Sequence, residues 1–100
     1  MAVLSIHLQE GFADDTAVVR LNGTESGRWT HLSTKQLLGY AEVIDLPKPA
    51  GEDIQLELSL PNRGLSARAL VPGAGDSFVA VNVADGRLQI AVRDRPFSYA

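Results

Sequence analysis

Cysteine is absent from the 100-residue sequence, which excludes disulfides, thiolate metal sites and cysteine nucleophiles. Stability has to come from packing, and a chain of this size buries roughly 60–70% of its unfolded surface, enough for one domain spanning residues 1–100. Also missing is any apolar run near the ~20 residues that cross a bilayer. The opening Met1-Ala2-Val3-Leu4-Ser5-Ile6-His7-Leu8 lacks the basic start and long apolar centre of a signal peptide. A cytoplasmic protein without a membrane partner is expected. Positive charge is scarce as well: 9 basic against 12 acidic residues leave a net −3, which argues against nucleic acid, whose binding rests on phosphate neutralisation. Neither a Gly-x-Ser-x-Gly elbow, a phosphate-cradling Gly-Lys-Ser/Thr loop, a His-Glu-x-x-His helix nor an EF-hand loop occurs, so no cofactor and no catalytic residue is assigned.

What is present is apolar enough to fold, with 45% hydrophobic and 21% charged residues. Ile54, Leu56, Leu58 and Leu60 alternate with Gln55, Glu57 and Ser59, the period of a half-buried strand. Pro61-Asn62-Arg63-Gly64 then reverses the chain. Facing Leu60 with Leu65 sets Leu58 against Ala67, Leu56 against Ala69 and Ile54 against Val71, and on the other side Glu57 against Arg68. Asp85-Gly86 predicts a second hairpin through a type I′ turn, with Val83 beside Leu88, Val81 beside Ile90 and Val79 beside Val92. Joined through Pro72-Gly73-Ala74-Gly75-Asp76, the two hairpins read as a four-stranded antiparallel meander over residues 54–93.

In the first half, Leu4, Ile6 and Leu8 mark one strand and Ala17, Val19 and Leu21 another. Asn22-Gly23-Thr24 matches a glycosylation acceptor, but without an export signal it is read as a turn. Arg28 to Leu32 is compatible with a strand. Ser33-Thr34-Lys35-Gln36 has the form of a helix capping box, so residues 34–44 offer two readings. One is a short helical turn near 34–38 followed by a strand from Tyr40 to Leu46; the other is a helix reaching Ile44. We favour the strand, because Gly39 inside a helix would cost about 1 kcal/mol. The fold class is therefore all-β: an antiparallel two-sheet sandwich of seven or eight short strands.

The order Asp15-Thr16-Ala17-Val18-Val19-Arg20-Leu21-Asn22-Gly23, then Ser33-Thr34, Gly39-Tyr40-Ala41 and Leu46-Pro47 resembles the prealbumin-like or carboxypeptidase-regulatory-like sandwiches over roughly residues 15–60. The resemblance implies a sandwich acting as an accessory module that contacts protein or carbohydrate. It transfers no catalytic residue.

Two surfaces stand out. Leu70, Phe78, Ala80 and Ala91, with Arg93, fall on the side of the predicted meander away from its aliphatic face, where apolar residues are poorly placed for open water. Either the tail Arg95-Pro96-Phe97-Ser98-Tyr99 folds back over them, or a partner protein or second copy covers them. The leading function is a non-enzymatic module acting by protein contact or self-association. The alternative is carbohydrate or small-ligand binding through Trp29, His31 and Tyr40, with Arg20 beside them; Trp29 and His31, two residues apart, are expected on one strand face. A hydrolase using His7 or His31 as base ranks third, since no motif surrounds either. Asp14-Asp15, Glu52-Asp53, Asp76 and Asp85 read as solvated turn residues rather than a calcium site, so no metal is assigned. Arg63, Arg68, Arg87, Arg93 and Arg95, interspersed with Glu57, Asp85 and Asp94, read as a mixed solvent face.

Overall fold

Alternating apolar and polar residues become strands throughout the computed structural model, which describes residues 2–35, 37–48 and 52–96. Among these, eight strands run in chain order: β1 (Val3–Leu8), β2 (Asp15–Leu21), β3 (Thr24–Leu32), β4 (Glu42–Pro47), β5 (Ile54–Leu60), β6 (Leu65–Val71), β7 (Ser77–Ala84) and β8 (Arg87–Arg93). They form two four-stranded sheets, sheet I in the order β4-β1-β7-β8 and sheet II in the order β3-β2-β5-β6. The shortest dimension, 21 Å, matches two layers spaced about 10 Å apart with their outer side chains.

Both predicted hairpins form in the predicted register. Ile54 pairs with Val71 and Leu60 with Leu65, while Val79 pairs with Val92 and Ala84 with Arg87. Asn22-Gly23 and Asp85-Gly86 both take positive φ, 52° and 83° in the first and 54° and 70° in the second, as tight hairpin turns require. The four-stranded meander, however, does not form. β6 and β7 belong to different sheets, and the two hairpins face each other across the core. Each hairpin has one apolar face, and stacking face to face buries both. Nor is the sandwich wholly antiparallel. β1 runs parallel to β7, with Ser5 beside Phe78 and His7 beside Ala80, so sheet I is mixed.

Leu37, Leu38 and Gly39 make a turn rather than a helix. The amides of Leu38 and Gly39 donate to the Lys35 carbonyl, and Lys35 bridges Tyr40. Gly39 has φ 80°, a left-handed value that ends any helix before β4 begins. The favoured strand reading holds from Glu42.

The core lies between the sheets. Leu4, Ile6 and Leu8 of β1, Val79 and Val81 of β7, Ala17 and Val19 of β2, and Ile54, Leu56, Leu58 and Leu60 of β5 are fully buried. All four strands are central in their sheets, so each has neighbours on both sides. Removing such a side chain down to Cβ typically costs about 2–5 kcal/mol. On the inner face of edge strand β6, Ala67 and Ala69 occupy little space, and β6 and β8 draw together there.

Candidate functional site

The outer face of sheet I is built by the alternation that fills the core: with Leu4, Ile6, Val79 and Val81 turned inward, Ser5, His7, Phe78 and Ala80 must point outward. Strand register lines them up in two rows across the sheet. Asp45, Ser5, Phe78 and Arg93 form one; Val43, His7, Ala80 and Ala91 form the next. Although they face outward, Ser5 and Ala80 are only 5% and 6% exposed. Phe78, His7 and Val43 are half-buried, whereas Asp45, Ala91 and Arg93 are exposed. The face thus has recessed positions, proud positions and a charge at either edge.

Ser5 Oγ lies 3.1 Å from His7 Nε2, so the two polar groups at the centre satisfy each other. Burial holds the His7 imidazole below its ordinary pKa, with the Asp45 carboxylate opposing the shift in part. Serine, histidine and aspartate are the components of a hydrolytic triad, but β1 is paired on both sides, so its backbone amides are committed to the sheet rather than gathered as an oxyanion hole.

The lowered His7 pKa has a defined consequence for stability. Below about pH 6.5 the unfolded chain takes up a proton at this site that the folded chain still refuses, so stability is lost as pH falls and the loss levels off below the folded-state pKa. His7→Gln is expected to flatten the pH profile of urea unfolding below neutrality. Identical slopes in the two proteins would contradict the assigned environment.

The five residues expected to share one patch are divided. Phe78, Ala80, Ala91 and Arg93 stand together on sheet I, but Leu70, 66% exposed, lies beside Gln55 on the outer face of sheet II. The separation of the two hairpins into opposite sheets is the reason. Sheet II carries instead a charged row, Arg20, Glu57 and Arg68, in which Glu57 lies 3.4 Å from Arg20 and 3.0 Å from Arg68 and borders a cleft of about 290 Å³. Residues 97–100, including Phe97 and Tyr99 of the tail expected to fold back, lie outside the described residues.

Trp29, His31 and Tyr40 turn to different neighbours. Trp29 packs against the core with its ring over Gly27, so close that a Cβ there would run into it. His31 does not share that face. A β-bulge sets Asp15 opposite Leu32 and Ala17 opposite Trp29, and the extra residue puts His31 at φ 57°, with Nδ1 2.9 Å from the Asp14 carboxylate. Tyr40 sits past the end of β3 at the Lys35 bridge.

Two charged clusters carry signals the sequence reading missed. Asp15, expected in a solvated turn, is 2% exposed and receives both Nε and Nη2 of Arg63 at 2.7 Å, while Arg63 also donates to the Gly11 carbonyl. Arg63 is thus a clamp rather than part of an open solvent face. Lys48 is 7% exposed, and its Nζ donates to the carbonyls of Pro72 and Gly75 and to Ser77 Oγ at 2.6, 2.6 and 2.8 Å. It ties down the β6–β7 connection, whose Pro72 and Asp76 line a cleft of about 510 Å³ together with Arg93. No helix among the described residues is long and apolar enough to cross a membrane. No protein-family model, curated protein or solved structure matches the chain.

Proposed function

We propose that this domain is a non-enzymatic interaction module that works by protein contact, self-association included, on the outer face of sheet I. The observation that carries this reading is the placement of half-buried Phe78 on central strand β7 of that face, between Ser5 and Arg93 in its row and next to Ala80 along its strand, with Asp45 and Arg93 at the two ends of the row. Protein contacts draw most of their energy from a few anchors, aromatic residues prominent among them, with charge kept to the rim, and Phe78 among small side chains is such an anchor. The central polar pair, Ser5 and His7, supports the same reading because each already partners the other, which lowers the cost of taking both out of water.

Phe78→Asp tests it. Sedimentation equilibrium over a concentration series, together with capture of bound proteins from the native extract, is expected to show association weakened by about tenfold or more, with circular dichroism and melting close to wild type. A variant that associates as the wild type does, and keeps every partner, would rule this face out.

A further inference from the structure

The geometry points to a second copy of this chain as the occupant of the sheet I face, docked about a two-fold axis that runs along the strands between β1 and β7. This rests on reading that face as a contact surface. Sheet order β4-β1-β7-β8 has two strands on each side of such an axis, so a half-turn about it lays β4 over the partner's β8 and β1 over the partner's β7. Because β1 and β7 are parallel to each other and β4 and β8 are antiparallel to them, each strand then lies parallel to the one it covers. A twisted sheet is saddle-shaped, and this rotation maps the saddle onto itself, so the two faces keep a constant separation.

Each row then meets its own reverse. Asp45, Ser5, Phe78 and Arg93 face the same row running backwards, which sets Asp45 against the second copy's arginine at one edge and Arg93 against its aspartate at the other. Proud Phe78 falls over recessed Ser5, and proud His7 over recessed Ala80, so large meets small four times in a symmetric pair. Val43 meets exposed Ala91. Charge and shape complementarity thus arise from one operation, and they arise twice because the contact is isologous. Four strands about 4.8 Å apart and roughly seven residues long present about 400 Å² in projection. That is small beside the roughly 800 Å² per partner of a standard interface, so the association is expected to be weak and concentration-dependent.

Charge reversal tests the arrangement through mixing. Asp45→Arg sets basic against basic at both edges of a homodimer, and Arg93→Asp sets acidic against acidic, so each alone is expected to self-associate about tenfold more weakly or worse than wild type. An equimolar mixture of the two restores opposite charges at both edges and is expected to recover wild-type affinity, as is the double variant. Recovery on mixing uses the same two folded chains, so a folding defect in either cannot mimic it. A mixture as weak as its components, with wild type still associating, would overturn this arrangement and leave the broader contact reading intact. Wild type that stays monomeric up to about 1 mM, well above the range of specific contacts, would overturn the second copy as occupant, with the Phe78→Asp capture experiment then deciding the broader reading separately. A chain that dimerises only after residues 97–100 are deleted would identify its own tail as the occupant and overturn the proposal too.

Discussion

Arg63→Ala is expected to lower the unfolding free energy by about 3–5 kcal/mol, the cost of leaving a buried charge without its partner. The asymmetry of the pair makes the prediction specific. The Asp15 side chain is 3% exposed while that of Arg63 is 32% exposed, so loss of the arginine leaves a recessed carboxylate with the Ala13 amide as its donor, whereas an arginine stranded by loss of the carboxylate reaches water. Asp15→Asn is accordingly expected to cost less than Arg63→Ala. Arg63→Lys should recover only part of the loss, because an ammonium cannot span both carboxylate oxygens as the Nε and Nη2 pair does. Urea unfolding at neutral pH measures all three. Since small domains hold only about 5–15 kcal/mol in total, Arg63→Ala would consume a large share of it. Equal losses for Arg63→Ala and Asp15→Asn would contradict the assigned roles.

Lys48→Met carries the next largest effect, an expected loss of about 2 kcal/mol. Methionine keeps the length of the stem but leaves Ser77 Oγ and the carbonyls of Pro72 and Gly75 facing a thioether. Hydrogen bonds from a charged donor are each worth more than neutral ones, and the cost of burying the ammonium offsets part of their sum. The loss should be local as well as global: amide exchange across residues 72–77 is expected to quicken well before that of β1 or β5. Unchanged protection in this connection would show that Lys48 does not hold it. The loop matters to the contact face because Pro72 and Asp76 share a cleft with Arg93, the basic end of the Asp45-to-Arg93 row.

The hairpin registers were legible in the sequence because strand periodicity and turn residues agree in both, and in the first the Glu57–Arg68 pair, which the structure closes at 3.0 Å, agrees as well. Periodicity tells which way a side chain points, and Phe78 alternates with buried Val79 as expected, whereas Ala80, expected toward open water, is only 6% exposed. The pattern carries no information about which strand lies alongside, so the parallel pairing of β1 with β7 and the parting of β6 from β7 were invisible. Leu70 was assigned to the wrong face for that reason alone. Asp15 and Arg63 are 48 positions apart, and only the packing of the β5–β6 turn against the start of β2 brings them together. Asp14 and Asp15 look alike in sequence, yet one is exposed and meets His31 while the other is buried. Trp29 and His31 were separated by a bulge, which shifts strand parity by one residue and leaves no residue-type signature as plain as Asp85-Gly86.

Amide chemical shifts recorded on serial dilution test self-association through the sheet I face most directly. Dilution is expected to move the signals of Val43, Asp45, Ser5, His7, Phe78, Ala80, Ala91 and Arg93 together along one binding curve, while Arg20, Glu57 and Leu70 on sheet II stay fixed. Shifts confined to the sheet II residues, or none at any concentration, would contradict it.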